Sequence, residues 1–260
     1  MATAALEPAA RQAALFEFLL RMGDNSLVLG HRVSEWCGHS PALEEDIALS
    51  NTALDLIGQT QLWLGLAGEV EGNGRSADNL AYLRDGYEFR NILLVERPNG
   101  DFGKTLTRQF LFDAWHYLML KALHNSTDSR IAEIAEKSLK EVSYHLDRSR
   151  DLIIRLGDGT AESHRRIQDA LDEIWPFTGE MFTSDAHDAE LVEAGIIPAP
   201  QSLKAGWDEI VGEALSEGTL KKPADGYMHK GGRRGVHTEH LGFILSELQF
   251  LQRAYPGATW

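Results

Sequence analysis

The chain has one cysteine, Cys37, in 260 residues. No internal disulfide is possible, which fits a reducing compartment. Cys37 has no neighbours of a known nucleophile signature and is expected in the core. No run of about 18 apolar residues occurs, so no membrane span is expected. No basic stretch followed by a long apolar segment opens the chain, so no secretory signal is expected and the location reads as cytoplasmic. Cations are scarce: 25 Lys and Arg against 39 Asp and Glu leave a formal charge of −14. That balance argues against general nucleic-acid binding through phosphates. It suits plain solubility or a partner with a basic patch. Alternating apolar–polar runs are few, and "NILLVE" (91–96) is the one strand candidate. No fixed-period repeat or low-complexity segment is present.

Helical periodicity fills the rest. At 43% apolar and 25% charged, the composition is that of a globular protein, and the length builds a core without staples. The spacing predicts a helix over 8–22, and a second, capped by Asp24 or Asn25, that carries Leu29, Val33, Trp36 and Cys37. A third spans 42–68, with Pro41 suited to its first turn and Leu43, Ile47, Leu54, Ile57 and Leu64 as its apolar stripe. A short piece near 79–90 and helices over 105–124 and 129–156 follow, the last closed by Gly157. Further helices are expected over 161–183 (disturbed at Pro176), 186–194, 200–217 and 237–254. Four long helices predict an all-α bundle with extra C-terminal helices. One domain is expected over 1–260, with 1–22 as an N-terminal helical extension.

One stretch carries chemistry. In "DAWHYLML" (113–120), Asp113 and His116 stand three apart and so share a helix face. Di-iron carboxylate bundles offer Glu-x-x-His at this spacing from two helices, and a Glu from each of two more. None of the ten histidines here follows a Glu by three residues, and only His116 follows an Asp. The inward polar positions expected on the long helices are Glu35, then Asn51 and Asp55, then Asp113 and His116, then Glu141 and His145. This falls short of a ligand set: one helix has no histidine, one candidate is an amide, and the acid of the pair is the shorter Asp113. The pattern reads as a bundle whose metal ligands have given way to hydrogen bonds and ion pairs. Asp113, His116, Glu141 and His145 are expected to neutralise one another without iron.

A second stretch, "HKGGRRG" (229–235), places Lys230, Arg233 and Arg234 among glycines before a helix start. Backbone amides and guanidinium groups together suit an anion such as a phosphate, although the stretch matches no established phosphate fingerprint. Trp36, Trp63, Trp115, Trp175 and Trp207 are spread over different helices and suit core or interface packing.

The segments "LGHRVSEWCGHSPALEEDIALSNTALDLIGQ", "RNILLVERPNGDF", "RQFLFDAWH", "KEVSYHLDRSRD" and "GGRRGVHTEHLGFILSELQFLQRAYPGATW", in this order, resemble the C subunits of bacterial ring 1,2-phenylacetyl-CoA epoxidases, also called phenylacetate-CoA oxygenases. The resemblance runs from about residue 26 to the C-terminus. It implies a ferritin-like fold and a place in a complex that makes a ring epoxide on a CoA thioester during phenylacetate degradation. In such complexes the catalytic A subunit holds the di-iron centre. A reductase subunit with flavin and an iron–sulfur cluster supplies electrons from NADPH. The C subunits lack the iron ligands and pair with the catalytic one. The resemblance therefore implies no catalytic residue, metal or cofactor in this chain, and a partner in the catalytic subunit. Three readings stand: a scaffold subunit, a di-iron oxygenase with an atypical site, and a module whose basic loop, Lys230, Arg233 and Arg234, meets CoA phosphates. Homo-oligomer formation is open.

Overall fold

Three of the four long helices begin where the chain supplies negative charge or an acceptor. Asp101 accepts the Lys104 amide at 2.9 Å and starts α4, Phe102–Leu123. Asp128 accepts the Arg130 amide at 3.0 Å and starts α5, Ser129–Gly157. α2, Leu43–Glu71, has no side-chain cap, but Glu44, Glu45 and Asp46 in its first turn complement the helix dipole. Pro41 stands just outside that turn. α1 runs unbroken over Pro8–Ser34. In this computed structural model residues 8–224 and 226–258 are described. Residues 1–7 of the expected N-terminal extension lie outside them.

α1 with α2, and α4 with α5, form two antiparallel pairs, joined by the long crossover 72–101, and α2 packs on α5. This is the ferritin-like bundle. The crossover holds the short α3, Ala77–Tyr82. The extra helices follow: α6 (Ala161–Ile174), α7 (Ala186–Glu193), α8 (Lys204–Glu217), α9 (Glu239–Leu248) and α10 (Phe250–Ala254). α6 and α8 cover the α4–α5 pair, and α7 and α9 lie against α1. α1 and α2 cross closely because α1 presents glycines there. A Cβ on Gly23 would stand 2.5 Å from the Leu64 side chain, and one on Gly30 3.1 Å from Ile57. No helix among the described residues is long and apolar enough to cross a membrane.

Several expectations are corrected. Asp24 and Asn25 cap no helix. They sit inside α1, both buried, and serve the crossover: Asp24 pairs with the buried Arg84 and accepts the Arg90 amide at 2.8 Å, and Asn25 accepts the Ile92 amide at 2.8 Å. "NILLVE" is therefore not a strand. It is a buried turn, and no strand occurs among the described residues. Its amides bond to side chains in place of a neighbouring strand. Leu93 N–H reaches Glu180 at 3.0 Å, while the fully buried Glu96 takes Asn91, His237 and the Thr238 amide. The helix expected over 161–183 ends at Ile174, where Pro176 turns the chain into short 3-10 segments, Trp175–Phe177 and Gly179–Phe182. Cys37 is exposed, because α1 ends at Ser34 and the chain turns outward there. The stripe assigned to α2 is also displaced: Leu43, Ile47 and Leu54 face outward, and Leu49, Ala53, Leu56, Trp63, Leu64 and Ala67 form the buried face.

Candidate functional site in the bundle interior

The seam between α2 and α5 is antiparallel and polar. Arg148 bonds Glu45, His145 Nε2 lies 2.9 Å from Asp55 Oδ2, and Gln59 donates to Glu141 at 2.9 Å. α4 brings Asp113 and His116 to the interior beside this seam, both fully buried. Asp113 accepts from Gln109 Nε2 at 2.7 Å, one turn back on its own helix, and from Ser149 Oγ at 2.9 Å across on α5. Burial raises its pKa to about 6, against the smaller opposing pull of His145 and these two hydrogen bonds.

His116 is placed differently. Its ring packs on Phe112 at 5.0 Å and on Trp115 at 6.1 Å, centroid to centroid. Among the described residues neither ring nitrogen has a hydrogen-bond partner. Burial, with a contribution from His145, lowers its pKa to about 3, so the imidazole is neutral at physiological pH.

The expected mutual neutralisation of Asp113, His116, Glu141 and His145 is thus corrected. Asp113 pairs with Gln109 and Ser149, His145 with Asp55, and Glu141 with Gln59, while His116 stands apart. Two expected members lie elsewhere. Glu35 is exposed beyond the end of α1, bonded to Arg32 and Asn99. Asn51 is on the outer surface of α2, because it falls about 100° or more around the helix from the buried Ala53 and Leu56. Gln59, Gln109 and Ser149 join the cluster without being singled out by any sequence motif. Each stands four residues from a member (Asp55, Asp113, His145), a spacing that places it on the same face and could have marked it.

The ferritin-like fold implies a di-iron pair, and the residues present do not fit one. Two irons need carboxylates and imidazoles converging at about 2 Å from each metal. Here no three His, Cys, Asp or Glu side chains converge among the described residues. Among the described residues the imidazole nitrogens left without a partner here are both of His116 and Nδ1 of His145, and the carboxylate nearest His116 in sequence, Asp113, is committed to Ser149 and Gln109.

The glycine-rich loop holds an anion of its own chain. The Gly231 and Arg233 amides bond Glu180 Oε1 at 2.9 and 3.1 Å, and the Arg233 guanidinium bonds Asp188 at 2.6 Å. The loop amides and Arg233 are therefore already engaged, while Lys230 and Arg234 remain exposed.

Comparison with known proteins bears on the whole chain. The family model described as phenylacetic acid catabolic protein matches residues 1–260. The C subunit of the 1,2-phenylacetyl-CoA epoxidase of Escherichia coli (strain K12) is 46% identical over 246 residues, covering 95% of this chain and 99% of that protein.

Proposed function

The chain belongs to the phenylacetic acid catabolic protein family, and on that premise we propose that it is a non-catalytic, cytoplasmic structural subunit of a phenylacetyl-CoA epoxidase. Its role is to pair with and stabilise the di-iron catalytic subunit of the complex, with flavin and the iron–sulfur cluster held by the reductase. One observation carries the reading. The inward carboxylates Asp55, Asp113 and Glu141 and the Nε2 of His145 are engaged with protein partners, and no three potential ligands converge among the described residues, so the interior offers packing and hydrogen bonds where an iron site needs converging free donors. The E. coli relative is itself named as a subunit, which supports a role within an assembly.

The loop at Lys230 and Arg234 supports a narrower CoA-contact role, limited to these two exposed cations because Arg233 and the amides serve Glu180 and Asp188.

The test is metal loading. The purified chain, given ferrous iron under reducing conditions and then desalted, is expected to retain well under one iron per polypeptide. Stoichiometric retention with a di-iron absorption or Mössbauer signature would overturn the reading in favour of an oxygenase with an atypical site.

A further inference from the structure

α2 carries an apolar stripe that the chain's own core does not use. At about 100° per residue, Leu43, Ile47, Leu54, Gly58, Gln61 and Gly65 fall within about 60° of one another. Leu43 is 70% exposed, Ile47 54% and Leu54 70%. The two glycines extend the stripe. A glycine inside a helix is less stable than alanine, and Gly23 on α1 offsets that by admitting Leu64. Gly58 and Gly65 have no such reason within this chain, since a Cβ on either would meet nothing within 4 Å. Knobs at one end and gaps at the other form a surface about 33 Å long that a helix lying along α2 would fill.

The stripe opens onto a shallow groove between α2 and α5, lined by Gln61, Leu62, Gly65, Glu69, Ile134 and Lys137. Tyr144, 56% exposed, continues the same face of α5.

Charge selects the occupant. Between Leu43 and Glu71 stand Glu44, Glu45, Asp46, Asp55, Glu69 and Glu71, with no Lys, Arg or His. Glu44 and Glu69 are exposed and form no ion pair among the described residues. On the α5 rim the cations are Arg130, which pairs with Asp128, and Lys137. Glu45, Asp55 and Glu71 are already bonded within the chain, to Arg148, His145 and Arg75, so a second copy placed helix against helix would set Glu44 and Glu69 of one α2 against those of the other, which costs affinity and slows encounter.

We propose that this face of α2, with the groove beside α5, receives a helix of the catalytic subunit whose apolar stripe is flanked by lysine or arginine. The proposal rests on the scaffold reading above and names its docking surface.

In the experiment the full chain is co-expressed with the catalytic subunit, pairing being measured by gel filtration and titration calorimetry. Leu54→Arg puts a cation on the stripe, and Gly58→Leu fills the gap. Both positions are exposed, and each variant alone is expected to melt with the wild type. Each is expected to weaken pairing about tenfold or more, as substitutions at the buried centre of an interface do. Glu44→Lys combined with Glu69→Lys is expected to slow association most at low salt. Phe243→Arg, at another exposed apolar position, is expected to pair like the wild type. Wild-type pairing that survives both Leu54→Arg and Gly58→Leu overturns the docking face and leaves the scaffold reading standing. A dimer of the chain alone that Leu54→Arg dissociates overturns the choice of occupant. Wild-type chains that fail to associate at all overturn the scaffold reading, and the docking face with it.

Discussion

Asp113 and His116 share one buried face and hold their protons in opposite senses. The folded carboxyl has its pKa raised from an ordinary 3.8 to about 6 by burial. Between these values the folded state binds more protons than the unfolded state, so this group's contribution to stability falls as pH rises, by about 3 kcal/mol in total. The imidazole goes from 6.5 to about 3. There the unfolded state binds more protons, so stability is lost as pH falls from about 6.5 toward 3. Over about pH 4–6 the two effects oppose each other. Asp113→Asn removes only the first. Relative to wild type, the variant is expected to gain about 2.5 kcal/mol of stability at pH 7.5 compared with pH 4, read from urea unfolding at the two pH values. A difference independent of pH, or larger at pH 4, would contradict this account. The spacing of Asp113 and His116 makes their common face legible in the sequence. Their partners are not legible there, because whether Asp113 meets His116, Gln109 or Ser149 depends on rotamers and on how α5 packs across α4.

At the scale of elements, polar residues inside α1 replace a missing strand partner. Asp24, Asn25 and Glu180 accept the Arg90, Ile92 and Leu93 amides of the turn 84–96, which would otherwise be buried without acceptors, and Glu96 at its end accepts the Thr238 amide. The pair of Asp24 and Arg84 is fully buried. Asp24→Asn leaves Arg84 charged among carbonyls, and the loss of one member of a buried pair costs about 3–5 kcal/mol. Thermal unfolding of the variant is expected to occur well below the wild type, with hydrogen exchange rising first at the amides of Arg90 and Ile92. Unchanged melting and exchange would show that the crossover is pinned by its apolar residues alone. α4 and α5 are readable in the sequence to within a few residues because their caps, Asp101 and Asp128, stand directly before apolar periodicity. α1 reads as two helices because Asp24 and Asn25 look like caps. Only the position of the crossover shows that these side chains reach sideways across the bundle instead of along the helix.

At the scale of the whole molecule, the bundle buries a full core and still presents large apolar side chains on α2 and near the C-terminus, including Phe243, Phe250 and Tyr255. Sequence periodicity marks Leu43, Ile47 and Leu54 as apolar but does not separate a core face from a face awaiting another chain, since both follow the same spacing. The interior shows the complementary case: carboxylates and histidines sit on the helices where a ferritin-like iron site would draw its ligands, yet Asp55, Asp113, Glu141 and His145 Nε2 are bonded to protein groups and His116 is packed against aromatic rings. The central claim is that the chain supports catalysis by assembly. It is tested most directly by the turnover of the catalytic subunit, per iron, with and without this chain, using phenylacetyl-CoA, oxygen and the reductase with NADPH. The account predicts that the catalytic subunit by itself is less soluble or less active, and that it recovers epoxide formation when this chain is added, with iron rising in the complex only in proportion to the catalytic subunit. Equal stability and turnover per iron in the absence of the chain would contradict it.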